Sequence, residues 1–394
     1  MRLAAQSRRH SGAARSAEPG IQRHAPSKHL DSGSPLRGVR NDGGEVFGRL
    51  ARLVSAGVLA LVLAPTATRA DPVTDFYRGK QISWILSADA GGGYSAYALA
   101  FARYFSAHIP GHPKIVVQNM PGAGGIRAMI YLNSVAPKDG TTIGMVHSSV
   151  PFAPLYGIEG AKFDPRQISW IGSLDASTGI CVAWHTSRIK TWRDMLEHEF
   201  TVGGSGAGSH METLPAIINR LFGAKMKVIS GYKGGNAIYL AMERGEVEGR
   251  CGGLMSSIAS TRPDWFPQKK VSIPIQIALE RSPLLPDVPS LGEFSKDERT
   301  RQVLQLFVAP QSMDRPILTP LGVPAERVAV LREAFHAAMN DPGFIAEAKK
   351  QHLHIQEIAG ASIEKILAQA YALPSDVVKA VNDMTHVGAA PASR

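Results

Sequence analysis

Short apolar runs alternate with helix-like patterns along most of the chain. Runs typical of strands cover residues 82–86, 115–117, 141–146, 180–184, 200–202 and 226–230. After the first run, Tyr97, Phe101, Tyr104 and Phe105 recur at helical spacing, as expected for an amphipathic helix with one buried face. Alternation of short strands with such helices predicts βαβ units built around parallel sheets.

The pattern forms two similar series, and the second begins at the run 180–184. Further on, the run VLQLFVAP at 303–310 is interpreted as another strand. A helix begins after Pro324, and the rest of the C-terminal part is helical except for the strand-like piece LHIQEI at 353–358. Two series of this kind indicate two α/β lobes.

We therefore predict two lobes joined by two crossings of the chain, near residues 178–184 and 301–310. Lobe 1 is expected to contain residues 71–180 and the returning segment 303–394, and lobe 2 residues 181–302. The space between the lobes is the expected ligand cleft.

Three glycine-rich turns follow strand-like runs and precede helices. They are SADAGGGYSAYA at 87–98, QNMPGAGG at 118–125 and GGSGAGSHMET at 203–213. Ligands of parallel α/β sheets bind where strand leads to helix, and helix N-termini there carry unpaired N–H groups and partial positive charge. Glycine lets a ligand oxygen approach those groups. The turns thus predict sites for anionic oxygens, although such glycines also serve simply to make tight turns.

The side chains near these turns are suited to binding rather than to catalysis. The uncharged polar and histidine candidates are Tyr94, Ser95, His147, Ser148, Ser149, Ser205, Ser209, His210, Tyr232 and Asn236. Lys233 and Arg250 are candidates for a charged contact with an acidic ligand, and Asp89 for orienting or capping the first turn. No P-loop, dinucleotide fingerprint, G-x-S-x-G elbow or zinc spacing occurs, so we expect no cofactor, no metal and no enzyme activity.

Length and charge bound the class of protein. A chain of 394 residues with 44% apolar and 19% charged residues is typical of a globular protein with more than one domain. The net charge of +10 is concentrated in residues 1–70, which carry eleven Lys or Arg and four Asp or Glu. The remaining residues carry a net charge of only +3, which argues against a nucleic-acid partner.

The first 70 residues have the form of a basic leader followed by a signal peptide. Arg49 and Arg52 precede an apolar run at 53–64, and small residues lead to a predicted cleavage site after Ala70. A membrane anchor is the alternative, but the run is shorter than the roughly 20 residues that span a bilayer. The preceding polar segment is expected to be disordered, with the true start of translation near Val46.

Export places the two cysteines, Cys181 and Cys251, in an oxidising compartment. A disulfide between them is expected to stabilise the fold by about 2–4 kcal/mol. Two buried free thiols are the alternative that the sequence leaves open.

Several motifs resemble those of the tripartite tricarboxylate transporter receptors, the Bug-type extracytoplasmic solute-binding proteins. They are the glycine turns with their flanks, APKDGTTIG, GYKGGNAIYLAMERGEVEG and GVPAERVAVLREAFHAAMNDPGF, in the family's order over residues 75–384. The resemblance implies a type II periplasmic binding-protein fold, whose lobes close on a small, usually carboxylated solute and deliver it to a permease of two subunits.

The resemblance also implies which residues hold the ligand carboxylate. Carried over to this chain, they are Gly91, Gly92, Gly93, Tyr94 and Ser95, then Pro121, Gly122, Ala123 and Gly124, and finally residues 205–210. The family often has Asp at the position of Ser95, and the first turn here lacks the family's proline, with Ala90 in its place. Loss of that charge favours a plain acid over one with an amino group.

We therefore expect a monomeric periplasmic receptor for a small organic anion, which the sequence does not name. Two alternatives stay open. One is an exported hydrolase that uses Ser205 or Ser209 with His210, and the other is a sensory module for a membrane kinase.

Overall fold

A computed structural model describes residues 72–207 and 209–385 of the chain. The predicted leader, its cleavage site after Ala70 and the start near Val46 lie outside these residues.

The described strands form one sheet of six strands and one of five. They are β1 (Gln81–Leu86), β2 (Lys114–Asn119), β3 (Thr142–Met145), β4 (Trp170–Asp175), β5 (Gly179–Trp184), β6 (Phe200–Gly203), β7 (Met226–Ile229), β8 (Gly249–Leu254), β9 (Val271–Ile277), β10 (Asp314–Leu318) and β11 (Ile358–Ala359). The six-stranded sheet has the order β11-β4-β10-β3-β1-β2, and the five-stranded sheet the order β7-β6-β8-β5-β9.

Helices connect the strands and cover the sheets. In the described ranges they are α1 (Pro72–Tyr77), α2 (Gly93–His108), α3 (Ile126–Ser134), α4 (Trp192–Glu197), α5 (His210–Phe222), α6 (Gly235–Glu243), α7 (Met255–Thr261), α8 (Glu298–Val308), α9 (Ala325–Met339), α10 (Pro342–Lys350), α11 (Gly360–Tyr371) and α12 (Ser375–Thr385).

Both sheets are mixed, and in the six-stranded sheet β10 and β11 both run antiparallel to β4. In the six-stranded sheet β1 is parallel to β2 and β3, whereas β10 runs antiparallel to β3 and β4. In the five-stranded sheet β6 is parallel to β7 and β8, whereas β5 runs antiparallel to β8 and β9. The chain passes between the sheets in the three residues from β4 to β5 and returns between β9 and β10. The predicted two-lobe α/β fold is thus the observed one.

The predicted amphipathic helix α2 packs on its sheet through aromatic side chains. The ring centroids of Phe101 and Phe105 lie 5.3 Å apart, and both rings contact Trp84 of β1 edge to face. Phe335 of α9 closes the same cluster, 5.6 Å from Phe101. This packing fixes the helix whose N-terminus opens at the first glycine turn.

The strand predicted at 303–310 is wrong, because this segment lies in helix α8 and the 3-10 turn Ala309–Met313 that follows. The Asp297 carboxylate accepts a hydrogen bond from Thr300 N at 2.7 Å and caps the helix. Val303, Leu304, Leu306 and Phe307 are buried, at a spacing that places them on one helical face. A short apolar run of this kind fits a buried helix face as well as a strand.

The strand-like piece at 353–358 is also shorter than expected. Only Ile358 and the residue after it pair with β4, and Gln356 N donates one further hydrogen bond to Leu174 O at 2.9 Å.

Cys181 on β5 lies opposite Cys251 on β8, and the structure joins their sulfur atoms in a disulfide. Both residues are fully buried. The bond links positions 70 residues apart in sequence, so it constrains the unfolded chain over much of lobe 2.

We expect the Cys181→Ser, Cys251→Ser double variant to have a free energy of unfolding about 2–4 kcal/mol below that of the wild type. Urea unfolding without reductant measures the difference. Dithiothreitol serves as the control, because it should lower the stability of the wild type and leave the variant unchanged. Equal stabilities for wild type and variant under oxidising conditions would contradict this expectation.

Candidate ligand-binding cleft

A cavity of about 50 Å³ lies where loops and helix N-termini from both lobes meet. Its walls come from the β1–α2 loop and the loop after β3 on lobe 1, and from the starts of α5 and α6 and the end of β8 on lobe 2. The residues that line it are Ala88, Asp89, Gly92, Gly93, Tyr94, His147, Ser148, Ser149, Ser209, His210, Met211, Gly235, Tyr239, Arg250, Gly252, Leu254 and Ser257. The cavity is therefore at the carboxyl ends of the parallel strands, where α/β sheets bind ligands.

About half of the predicted site residues line this cavity. Those that do are Gly92, Gly93, Tyr94, His147, Ser148, Ser149, Ser209 and His210. Those that lie outside the lining are Gly91, Ser95, Pro121, Gly122, Ala123, Gly124, Ser205, Tyr232 and Lys233.

Ser95 braces the first glycine turn. Its Oγ donates a hydrogen bond to Asp89 O at 2.9 Å and accepts one from Asn119 Nδ2 at 2.9 Å. Asn119 also donates to Ala88 O at 2.9 Å. The Ser95 hydroxyl thus holds the loop in place from within lobe 1.

The second glycine turn contacts the other lobe directly. Gly124 N donates a hydrogen bond to Ser205 O at 3.1 Å, so this N–H group is satisfied by the protein itself. A Cβ atom on Gly206, whose φ is +106°, would lie 2.9 Å from Gly124 N. The missing side chain at this point allows the two glycine turns to touch across the lobes.

Tyr232 and Lys233 lie away from the cavity. The Tyr232 hydroxyl is 3.5 Å from Glu246 Oε2, and the side chain of Lys233 is exposed.

Asp89 of lobe 1 caps helix α6 of lobe 2. The N-cap residue of that helix, Gly234, has no side chain, and Asp89 Oδ2 instead accepts a hydrogen bond from Ala237 N at 3.3 Å. A Cβ atom on Gly234 would lie 2.3 Å from Asp89 Oδ1, so glycine is required for this approach. Burial raises the pKa of Asp89, although the Ala237 hydrogen bond and the charge of Arg250 act in the opposite direction.

Arg250 provides the one guanidinium among the residues that line the cavity. Only 6% of the residue is exposed. Its Nε donates to Met211 Sδ at 3.0 Å, and its Nη1 donates to the hydroxyl of Tyr239. The sequence marked Arg250 only as a candidate for a charged contact with an acidic ligand.

The two cavity histidines are held neutral by burial. Burial lowers the pKa of His147 to about 4, opposed by a hydrogen bond between Nδ1 and Gly124 O at 3.0 Å. Burial and the nearby His147 lower the pKa of His210 to about 3. Both side chains therefore present neutral imidazole to the cavity at neutral pH.

Sequence reasoning missed several lining residues. Leu254 is the last residue of β8 and Ser257 lies in the helix that follows, so the rule that ligands bind where strand leads to helix applies to both. Tyr239 and Met211 occupy helical positions that carry no such signal, because their approach depends on how α5 and α6 pack against β8.

A buried ionic cluster joins the lobes at the base of the cavity. Arg315 is fully buried, forms ion pairs with Asp314 and with Asp175 Oδ2 (3.2 Å), and donates to Ser256 Oγ and Ser257 Oγ of lobe 2, both at 3.1 Å. Asp314 Oδ1 accepts a hydrogen bond from the Tyr94 hydroxyl at 3.1 Å. The cluster thus connects both crossings of the chain to the wall of the cavity.

In the described ranges no cluster of three or more His, Cys, Asp or Glu side chains is placed to hold a metal ion. None of the helices in the same ranges is both apolar and long enough for a membrane span.

We expect the free energy of unfolding to fall as the pH is lowered below about 6.5, since His147 and His210 gain protons only on unfolding. The His210→Gln variant lacks one of the two histidines, so the slope of its free energy of unfolding against pH should be smaller by up to about 1.4 kcal/mol per pH unit. Urea unfolding between pH 7.5 and 4.5 measures it. His352→Asn is the control, because His352 is exposed and asparagine tolerates the φ of +57° at this position. The expectation fails if both variants keep the wild-type slope.

Arg315→Met should lower the free energy of unfolding by about 3–5 kcal/mol, because it leaves the carboxylates of Asp175 and Asp314 buried without a cation. Thermal and urea unfolding measure the loss. The matched control is Arg299→Met, which breaks an exposed ion pair with Asp376 and should cost less than about 1 kcal/mol. A similar loss in both variants would show that the buried cluster has no special role.

Comparison with known proteins gives the family and the fold. The model of the tripartite tricarboxylate transporter family receptor matches residues 107–382. A relative from Cupriavidus necator, the UPF0065 protein in the gbd 5'region, is 27% identical over 301 residues, which cover 74% of this chain and 84% of the relative.

Similar solved structures are two-lobe binding proteins. The periplasmic binding protein BugD has a TM-score of 0.62 at 18% identity, covering 78% of this chain and 98% of BugD. MatC from Rhodopseudomonas palustris with bound malate has a TM-score of 0.60 at 17% identity, covering 78% and 99%. An R. palustris protein with adipate has a TM-score of 0.59 at 16% identity, covering 77% and 97%.

These findings confirm the periplasmic binding-protein fold and the interpretation of the chain as a binding protein rather than an enzyme. The family model spans well over half of the chain. The chain therefore belongs to the tripartite tricarboxylate transporter family receptors, which are solute-binding proteins.

Proposed function

We propose that this chain is a periplasmic receptor that captures a small carboxylic acid between its lobes and delivers it to the membrane permease of a tripartite transporter. The observation that carries the proposal is the cavity, where helix N-termini, hydroxyls and one guanidinium from opposite lobes face the same space. Such a set of groups binds carboxylate oxygens and offers no nucleophile with an activating base.

The start of α5 supports an acidic ligand. Ser209 is its N-cap residue and His210 its first residue, and they are 1% and 8% exposed. Neither Ser209 Oγ nor His210 Nε2 has a hydrogen-bond partner in the described part of the protein. Buried polar atoms are costly when unpaired, so these groups favour a ligand that supplies oxygen atoms.

The start of α2 provides a second group of donors on lobe 1. Gly92 and Gly93 line the cavity at the N-terminus of this 16-residue helix, whose first N–H groups lack intrahelical partners. A Cβ atom on Gly93 would lie 2.7 Å from Ser257 Oγ of lobe 2, so the missing side chain lets the start of α2 approach the other lobe. The two helix starts lie on different lobes, so one ligand can contact both.

Closure of the lobes is part of the proposed mechanism. The hydrogen bonds from Gly124 N to Ser205 O and from Ala237 N to Asp89 Oδ2 cross from one lobe to the other. A ligand that contacts both lobes stabilises this closed arrangement by its higher affinity for it. Exclusion of water then strengthens each contact to the ligand charge.

Malate in MatC and adipate in the other R. palustris protein suggest the class of ligand. We propose that this chain likewise binds a carboxylate, works with a permease, is monomeric and is exported by its leader. We also propose that the lobe boundaries lie at 181 and 303 and that the glycine turns contact the ligand. Among the described residues, nothing favours a sensory role over transport.

We expect short dicarboxylic, aliphatic and aromatic acids to raise the thermal stability of the purified mature protein. A ligand at one hundred times its Kd should stabilise it by about 2.7 kcal/mol. The matched controls are the amides of the same acids, which keep shape and remove charge and should bind much more weakly. Differential scanning fluorimetry followed by calorimetry measures both series.

Equal binding of acids and amides, or stabilisation by sugars or amines alone, would overturn the proposal. The transport step has its own measurement, which is uptake of the bound acid by cells with and without the two permease genes. Uptake that does not depend on those genes, together with a response that requires a membrane kinase, would replace transport by sensing.

A further inference from the structure

Arg250 is a buried cation without an acidic partner. Within the described ranges, no Asp or Glu oxygen lies within 4.0 Å of its guanidinium nitrogens, and its hydrogen bonds go to Met211 Sδ and the Tyr239 hydroxyl. The guanidinium carbon lies 4.9 Å from the centroid of the Tyr239 ring. These neighbours fix the position of the charge without forming an ion pair with it, although the charge acts on Asp89 from a greater distance.

Two glycines make room for this guanidinium at the cavity. A Cβ atom on Gly235, the first residue of α6, would lie 2.9 Å from Arg250 Nη1. A Cβ atom on Gly253 would lie 2.6 Å from Arg250 Nε. Both positions are therefore restricted to glycine as long as the guanidinium keeps its place beside the N-terminus of α6.

Asp89 has the one carboxylate among the lining residues, and this carboxylate forms no ion pair with Arg250. Its Oδ2 accepts the hydrogen bond from Ala237 N at 3.3 Å, and its Oδ1 lies between the backbones of Gly92 and Gly234. The lining also contains His147 and His210. Both imidazoles are neutral at neutral pH, because burial lowers their pKa. The lining thus has one guanidinium, on lobe 2, and one carboxyl group, on lobe 1.

We propose that Arg250 binds the carboxylate of the ligand and that Asp89 excludes a second one, so that the receptor selects monocarboxylates over dicarboxylates. The inference rests on the proposed function and names the substrate class of that same site. The planar guanidinium matches a carboxylate through two parallel hydrogen bonds, which neutral donors do not provide.

The Asp89 carboxylate opposes a second carboxylate in the same cavity. Asp89 and Arg250 approach the adjacent residues Gly234 and Gly235, so the second group of a dicarboxylate that engages Arg250 in this cavity of about 50 Å³ stays close to Asp89. Two carboxylates so close together repel each other, and one of them has to take up a proton. An uncharged group has no such cost, and Tyr94, Met211 and Leu254 give the cavity apolar surface.

Isothermal titration calorimetry with three matched pairs tests the selectivity on the wild-type protein at pH 7.5. The pairs are butyrate with succinate, hexanoate with adipate, and benzoate with terephthalate. In each pair of which at least one acid binds, the monocarboxylate should bind at least about tenfold more tightly than the dicarboxylate. Equal or tighter binding of the dicarboxylate would overturn the inference.

Variants at Arg250 test the role of the guanidinium. Arg250→Met should weaken binding of the preferred acid by at least about 30-fold, and Arg250→Lys should recover only part of the loss. Arg244→Met is the matched control, because Arg244 is exposed at the other end of α6 and the change in charge is the same. Wild-type affinity in a folded Arg250→Met protein would overturn the inference, and circular dichroism establishes the fold.

Asp89→Asn tests the exclusion of the second carboxylate. The amide oxygen still accepts the hydrogen bond from Ala237 N, but the negative charge is gone. Affinity for the dicarboxylate should rise, bringing the two members of a pair to within about threefold of each other. A selectivity unchanged from the wild type would show that Asp89 does not set it.

Failure of the inference and failure of the proposed function are distinguishable. If neither these six acids nor the wider panel bound, the carboxylate receptor itself would be wrong. If acids bound but Arg250→Met and Asp89→Asn left affinity and selectivity unchanged, only the assignment of the two charges would be wrong.

Discussion

The geometry of the cleft depends on one buried guanidinium, that of Arg315. A cation without access to water is tolerated only when acidic groups and hydrogen-bond acceptors surround it. Here Asp175 and Asp314 come from the two strands next to the crossings, and Ser256 and Ser257 come from the start of α7 on the other lobe. The ion pairs of Arg315 lie within lobe 1, and its hydrogen bonds to Ser256 and Ser257 cross to lobe 2. Separation of the lobes at this point would break those two hydrogen bonds and leave donors of the buried guanidinium without acceptors, so we expect movement between open and closed states to preserve this contact.

The same cluster couples the base of the cleft to its wall. The Tyr94 hydroxyl donates to Asp314 and accepts a hydrogen bond from Ser148 N at 3.1 Å, while the Tyr94 ring contacts His147 edge to face at 4.9 Å. A displacement of β10 would therefore move three groups that line the cavity. Across the opening, by contrast, single hydrogen bonds such as that from Gly124 to Ser205 join the lobes. The base is the rigid end and the glycine turns are the end that can part.

Much of the fold was predictable because each strand and helix signal is local. The aromatic spacing of α2 and the glycine turn before it lie within one stretch of about twenty residues. The strand predicted at 303–310 failed for a physical reason, since a short apolar run does not show enough of its period to separate a helix from a strand. Only the tertiary environment, with Val303 and Phe307 packed on one helical face, decides between the two structures.

The site was predictable only in part, because the sequence does not show which lobe a backbone group will meet. Glycines at the second turn were expected to approach a ligand, yet Gly124 and Gly206 approach each other.

The sequence is equally silent about the surroundings of the charged residues Asp89 and Arg250. Both were visible in the sequence, but their meaning depends on a distance across the cleft that no local pattern encodes. Asp89 caps a helix of the opposite lobe, and Arg250 has no acidic side chain within ion-pair distance. Under the proposal that these two side chains select the ligand, the class of ligand follows from charges that the fold brings to one cavity rather than from the glycine turns that the sequence displays.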